Sequence, residues 1–164
     1  MESKSIYPES FRVALEQKAD SKKFDELFGS SDYLPVFVYG SLILPSVIDR
    51  VTQQDDVKKM VVRMLPARLE KHQRYSVEVA DYPAILPTKN AKQVVDGMLV
   101  FGLNSEERGC LDRLESNLYT LEKVQVHAAL SDGESRLVDA EVYTWGGDRD
   151  ELEENEDKPW SISS

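Results

Sequence analysis

The feature that most constrains this chain is a short apolar run that ends at a glycine. Residues 34–39 read LPVFVY, and Gly40 and Ser41 follow directly. A continuous apolar run of this length, rich in β-branched and aromatic residues, predicts a strand buried on both faces. Ser46 is a suitable N-cap for a helix from Val47 to Gln53. We therefore expect a central strand that opens into a loop and then a helix.

Length and composition set the size of the folded unit. The chain has 164 residues, of which 41% are apolar and 30% are charged. A chain of this length buries one sizeable core, and this composition is too apolar for the disordered class. We expect a central domain at residues 34–147, preceded by an N-terminal helical extension at residues 1–33 and followed by an acidic C-terminal tail at residues 148–164. We expect this tail to be frayed or weakly helical.

Charge and cysteine content disfavour several classes of function. The net charge is −10 and no basic stripe is present, so nucleic acid is not an expected partner. The single Cys110 allows no intramolecular disulfide, and no Cys/His cluster has zinc-ligand spacing, which favours a reducing compartment without a structural metal. Because no secretory signal or long apolar span is visible, we expect no membrane partner and a cytoplasmic location.

The remaining pattern predicts an α+β fold. Apolar residues at helical spacing between Pro8 and Phe28 indicate an N-terminal helix. Further strands are expected at residues 61–69, 73–79, 84–86, 94–103, 120–130 and 137–145. Gly97 and Gly102 indicate a bulge or a close backbone approach in the fourth of these segments. Strands that mostly neighbour one another in sequence indicate a curled sheet or small β-barrel with flanking helices.

One helix ends at a glutamate of interest. Asn104 and Glu107 have the spacing of a capping box, which predicts a helix from Ser105 to about Glu115. The expected buried face of this helix is formed by Cys110, Leu111 and Leu114. Glu115 lies at the edge of that face, where partial burial and the helix dipole both raise the pKa of a carboxyl group. A raised pKa suits an acid/base, although helical spacing alone equally fits a surface glutamate.

Other candidate residues give weaker signals. The Tyr39–Leu42 loop follows a buried strand, so its amides could bind an anion or an oxyanion, although a plain turn fits the same residues. His72 and His127 stand in no catalytic or metal-binding spacing, and Cys110 fits an inert buried thiol. Taken alone, Tyr82 and Tyr119 fit aromatic core positions with hydrated hydroxyl groups.

Five motifs in order carry a resemblance to a known family. They are Val36-Phe37-Val38-Tyr39-Gly40-Ser41-Leu42, Leu65-Pro66-Ala67-Arg68-Leu69, Tyr82-Pro83-Ala84-Ile85, Val95-Asp96-Gly97-Met98-Leu99, and Leu111-Asp112-Arg113-Leu114-Glu115 with Tyr119. Together they resemble the AIG2-like γ-glutamyl cyclotransferase family over residues 36–146. The N-terminal helix and the acidic tail lie outside this region.

The resemblance implies a fold, a site and a reaction. The implied fold is a mixed sheet closed into a small barrel with flanking helices, and no cofactor is implied. Glu115 matches the family's catalytic glutamate. The substrate-binding residues implied are Tyr39, Gly40, Ser41, Leu42, Tyr119 and Tyr82. The implied reaction cyclises a small-molecule γ-glutamyl amine to 5-oxoproline and releases a free amine or amino acid.

Two alternatives to an enzyme remain open at this point. Ser116 stands where many relatives have glycine, which favours a non-catalytic binding or regulatory module of the same fold. The N-terminal helix and the acidic tail also suit recruitment of a protein partner. The γ-glutamyl compound is equally open: a γ-glutamyl amino acid, glutathione, a γ-glutamyl-lysine isopeptide and a secondary metabolite all fit the sequence.

Overall fold

A computed structural model of the chain describes residues 9–16, 22, 25–26, 33–77, 83–115, 118–129 and 135–154. The helices are α1 (Glu9–Glu16), α2 (Pro45–Val51), α3 (Val57–Val61) and α4 (Ser105–Glu115). The strands are β1 (Val36–Val38), β2 (Met64–Glu70), β3 (His72–Val77), β4 (Pro83–Pro87), β5 (Val94–Val100), β6 (Tyr119–Ala129), β7 (Ser135–Trp145) and β8 (Leu152–Glu154).

Five strands close into a barrel in the order β1-β5-β2-β6-β7. Neighbouring strands run antiparallel except β1 and β7, whose parallel pairing closes the barrel. The other three strands form a separate sheet in the order β4-β3-β8. The predicted α+β class with a small barrel and flanking helices is therefore confirmed.

Alternating side chains divide the core into two clusters. One cluster contains strand residues of all five barrel strands and no helix residue, so it fills the barrel interior; Phe37, Leu65, Leu99, Val126 and Val142 belong to it. The second cluster joins the outer face of the barrel to the helices, through residues such as Phe11, Ile48, Met64, Val100 and Leu111. This double use of the strands explains why β1 is buried on both faces, as its apolar run predicts.

Helix α4 begins at the predicted capping box. The Glu107 amide donates to Asn104 Oδ1 at 2.8 Å, and the Asn104 amide donates to Glu107 Oε1 at 3.0 Å. The buried Glu107 carboxylate also accepts from Arg63, whose guanidinium donates to the Phe101 and Gly102 carbonyls as well. The start of α4 is thereby tied to the barrel, which fixes where the other end of the helix points.

Three local predictions are corrected by the structure. Helix α2 begins earlier than predicted, with Leu44 at the N-cap and Pro45 in its first turn, so Ser46 lies inside the helix. Val61 belongs to α3 because Asp56 caps a helix there by accepting from the Lys59 amide. Residues 152–154 of the acidic tail form β8 and pair with β3, so this part of the tail is neither frayed nor helical.

Helix α1 is part of the folded core. Phe11 and Ala14 are fully buried and join the cluster between the helices and the barrel. The rest of the predicted N-terminal helix falls mainly outside the described residues. In the described part of the chain, no helix is long and apolar enough to cross a membrane.

Candidate active site

A cavity of about 160 Å³ opens where five segments of the fold converge. These segments are the end of β1 with the loop that follows, the start of β4, the end of α4, the start of β6 and the end of β7. The residues that line the cavity are Phe37, Val38, Tyr39, Gly40, Ser41, Leu42, Pro83, Leu114, Glu115, Tyr119 and Tyr143. Glu115 is the only acidic or basic side chain among these described residues, so any charge that they bring to the cavity is negative.

The Tyr39–Leu42 loop leaves the barrel in a tight turn. Its Gly40 carbonyl accepts from the Ile43 amide at 3.0 Å, which starts a short 3-10 helix at Ser41. The first amides of such a turn have no acceptor within it, and Gly40 provides no side-chain cap. A Cβ on Gly40 would lie 3.1 Å from the Pro83 ring, so glycine allows the loop to approach β4 closely.

A half-buried arginine is hydrogen-bonded to the backbone of the loop. Arg74 on β3 donates from Nη1 to the Tyr39 carbonyl at 2.7 Å. Its Nε is buried and has no hydrogen-bond acceptor among the described residues. Burial lowers the pKa of this guanidinium, with a smaller opposing effect of Tyr39. Arg74 therefore fixes the position of the loop backbone.

Glu115 brings a protonatable carboxyl group to the cavity. Burial of its side chain raises the pKa from 4.5 to about 7. The predicted rise is therefore found, with desolvation as its cause. A carboxyl group that titrates near neutral pH can both accept and return a proton, which is the requirement for an acid/base.

Three tyrosines form the polar walls around Glu115. The Tyr39 hydroxyl donates to the Tyr143 carbonyl at 2.6 Å, and the Tyr119 hydroxyl donates to the Pro83 carbonyl at 2.9 Å. Tyr119 also packs edge-on against Trp145, with ring centroids 5.5 Å apart. Burial raises the pKa of Tyr39 well above its ordinary value, and the neighbouring Tyr119 and Glu115 add to this rise. Tyr39 therefore remains a neutral donor.

Comparison with known proteins identifies the family. Residues 36–162 match the family described as gamma-glutamyl cyclotransferase, AIG2-like. The chain belongs to the AIG2-like γ-glutamyl cyclotransferase family. This confirms the resemblance found in the sequence motifs, and family membership supports a general cyclotransferase-like function.

Individual relatives agree with this assignment. The chain is 34% identical over 114 residues to AIG2-like protein D of Arabidopsis thaliana, and the alignment spans 67% of this chain and 66% of that relative. The solution structure of a second Arabidopsis thaliana protein is similar with a TM-score of 0.56 and 29% identity, over 78% of this chain and 81% of the other. A crystal structure of a yeast gamma-glutamyl cyclotransferase specific to glutathione shares the fold, with a TM-score of 0.50, 16% identity and 68% coverage of each chain.

The cavity brings together most of the site residues predicted from sequence. Glu115, Tyr119 and all four residues of the Tyr39–Leu42 loop line it. Tyr82 and Ser116 lie outside the described residues, although Pro83 next to Tyr82 lines the cavity. Leu114 is 53% exposed and lies at the cavity, so its assignment to the buried face of α4 is wrong. Cys110 is only half-buried.

Tyr143 is a cavity residue that was not predicted from the sequence. This residue lines the cavity from the end of β7, and its hydroxyl donates to Asp112 Oδ1 on α4. Burial raises the pKa of the Tyr143 phenol, and the hydrogen bond to Asp112 adds to the rise. The sequence signal that could have pointed to this contact is the spacing of Asp112 and Glu115. They stand one helical turn apart, so a partner of Asp112 lies on the same side of α4 as Glu115.

The described residues contain no group of three or more His, Cys, Asp or Glu side chains that could hold a metal ion. The residues that line the cavity offer one carboxyl group, three phenols and the Ser41 hydroxyl. What this arrangement provides chemically is proton transfer and hydrogen bonding in a partly enclosed pocket.

Proposed function

We propose that this protein is a γ-glutamyl cyclotransferase that converts a γ-glutamyl amine to 5-oxoproline and a free amine or amino acid. The observation that carries the proposal is Glu115, whose pKa of about 7 suits proton transfer and whose carboxyl group shares a cavity with the Tyr39–Leu42 loop. Family membership supports the same class of activity. We propose Glu115 as the catalytic residue, and Tyr39, Gly40, Ser41, Leu42, Tyr82 and Tyr119 as substrate-binding residues.

The reaction needs little from the protein because the substrate carries its own nucleophile. The substrate α-ammonium first releases one proton to water, and the neutral amine then attacks the γ-carbonyl carbon to close a five-membered ring. The attacking nitrogen gives its next proton to the Glu115 carboxylate. Glu115 returns this proton to the leaving nitrogen as the bond between that nitrogen and the γ-carbon breaks. The carboxylate is regenerated, and no covalent enzyme intermediate is needed.

The Tyr39–Leu42 loop binds the negatively charged groups of the substrate in this proposal. The amides at the start of the 3-10 turn after Gly40 have no acceptor within the turn, so they suit the substrate α-carboxylate or the oxyanion that forms at the γ-carbonyl. Arg74 stabilises this arrangement because it donates a hydrogen bond to the Tyr39 carbonyl at the start of the loop. A folded loop of fixed shape reduces the entropy lost when the flexible substrate is bent toward its cyclic form.

The test is a γ-glutamyl panel with 5-oxoproline as the readout. The panel contains a γ-glutamyl amino acid, glutathione, a γ-glutamyl-lysine isopeptide and a γ-glutamyl alkylamine, and mass spectrometry follows 5-oxoproline. We expect at least one member to give product. Glu115→Gln should lower that rate by at least a factor of ~100, because general acid–base catalysis typically contributes 10²–10⁴-fold.

A matched variant controls for a general effect of removing a glutamate. Glu122 is exposed on β6 outside the cavity, so Glu122→Gln should retain the parental rate. An active Glu115→Gln protein would refute the assignment of Glu115. No product from any member of the panel would instead favour a non-catalytic binding module of this fold.

A further inference from the structure

The Asp112–Tyr143 pair is a polar contact at the cavity that the reaction proposed above does not use. Tyr143 is 7% exposed and lines the cavity, and its hydroxyl donates to Asp112 Oδ1. Asp112 lies three residues before Glu115 on α4, so both carboxyl groups lie on the side of the helix that faces the end of β7. Glu115 lines the same cavity as Tyr143.

This pair is held by a second contact between the same helix and strand. Arg108, one turn before Asp112, forms an ion pair with Glu141, which lies two residues before Tyr143 on β7. Arg108 also donates to the Leu34 carbonyl at 3.2 Å. Residues two apart on a strand point to the same side, so Glu141 and Tyr143 meet successive turns of α4. The position of the Tyr143 hydroxyl is therefore set by the docking of the helix on the strand.

We propose that the Tyr143 hydroxyl oxygen, oriented by Asp112, receives the α-ammonium group of the γ-glutamyl substrate. Tyr143 is a binding residue in this proposal, and Asp112 is a positioning residue that acts through it. The inference rests on the proposed function, because it assigns one end of the same substrate. It adds a subsite for the positively charged end of the substrate to the anion-binding role proposed for the Tyr39–Leu42 loop.

The direction of the hydrogen bond explains why an ammonium group fits. Because the phenol proton is directed to Asp112, the lone pairs of the Tyr143 oxygen are available as acceptors. An N–H group of the substrate supplies the matching donor. The Asp112 carboxylate behind the phenol adds negative potential that outweighs the opposing effect of Arg108 on Tyr143. Among the described residues, no basic side chain lines the cavity. The same contact would hold the amine nitrogen near Glu115 before it attacks.

Binding to an inactive protein tests this without turnover. The Glu115→Gln protein is titrated calorimetrically with two probes: N-ethyl-L-glutamine, and the mono-N-ethylamide of glutaric acid, which is the same molecule without the α-amino group. Tyr143→Phe and Asp112→Ala, each combined with Glu115→Gln, should weaken binding of the first probe by ~10-fold or more, as expected for loss of a hydrogen bond to a charged group. Binding of the second probe should change by less than about twofold.

Further variants separate this role from a structural one. Asp112→Asn keeps an oxygen acceptor for the Tyr143 hydroxyl, so it should retain more of the affinity for the amino probe than Asp112→Ala does. Tyr75→Phe removes a buried phenol hydroxyl outside the cavity and should leave the binding of both probes unchanged. Circular dichroism melting checks that each variant is folded.

Each other result overturns a distinct claim. If Tyr143→Phe weakens both probes equally, or neither, Tyr143 does not recognise the amino group, while the proposed reaction stands. If Tyr143→Phe discriminates between the probes but Asp112→Ala does not, the positioning role of Asp112 is wrong. If the Glu115→Gln protein binds neither probe, the site does not accept the γ-glutamyl group, and the proposed function and this inference fail together.

Discussion

Replacing Glu115 with glutamine should make the protein more stable at alkaline pH. The folded-state pKa of about 7 lies above the ordinary value of 4.5, so between these pH values the folded protein keeps a proton that the unfolded chain has lost. The contribution of Glu115 to stability is therefore complete below pH 4.5 and is lost as the pH rises to about 7. Glutamine has nearly the same shape but never ionises, so the variant escapes this loss.

The size of the effect follows from the burial of the side chain. A change in pKa from 4.5 to about 7 corresponds to at most about 3.5 kcal/mol, because each pH unit is worth about 1.4 kcal/mol. Urea denaturation of the parent and Glu115→Gln proteins at pH 4, 6, 7, 8 and 9 measures the difference in the free energy of unfolding. We expect this difference to rise by about 2–3 kcal/mol in favour of glutamine between pH 4 and pH 9, because other ionisable groups cancel in the comparison.

Two further measurements test whether burial of the Glu115 carboxyl group causes this pH dependence. Glu122→Gln removes an exposed carboxylate and should show a difference of less than about 0.5 kcal/mol that does not depend on pH. In the parent protein, kcat/KM for the proposed reaction should rise with pH through an apparent pKa near 7 if Glu115 acts as the base. A difference for Glu115→Gln that stays constant from pH 4 to pH 9 would show that Glu115 is not desolvated in the folded protein.

Two core substitutions test the scaffold of the site by urea denaturation. Gly97→Ala should destabilise the protein by about 2–3 kcal/mol, because the added Cβ would lie 2.2 Å from the Val38 carbonyl oxygen and force β1 to shift just before the loop. Unchanged stability would disprove this close approach. Phe11→Ala should cost about 3–5 kcal/mol because Phe11 is fully buried. A loss below about 1 kcal/mol would instead mean that α1 is dispensable for the fold.

Several parts of the fold are predictable from the sequence because their causes are local. The bounds of α4 follow from the Asn104–Glu107 capping box, and the loop at Gly40 follows from a glycine after a continuous apolar run. Caps and side-chain periods act over a few residues, so the sequence contains all the information they need. The close approach at Gly97 is foreseeable for the same reason, since a glycine inside a strand marks a place with no room for a side chain.

Prediction from local pattern fails where neighbouring structure overrides it. Leu114 has the right spacing for the buried face of α4, yet it is exposed at the cavity, where the last turn of the helix borders an opening instead of the core. Residues 152–154 have the composition of a solvated tail, yet they pair with β3 because an unpaired strand edge is available. Neither outcome can be obtained from composition or period alone.

What the sequence by itself determined is the order of the elements other than α3 and β8 and, through five ordered motifs, the family. Only the tertiary structure decided that β1 pairs with β7 to close a barrel, and that this closure places Glu115, the Tyr39–Leu42 loop and Tyr143 around one cavity. These residues are distant along the chain, and their meeting depends on strand register and on how α4 docks against β7. Such contacts arise from the packing of the whole core, so no short stretch of sequence encodes them.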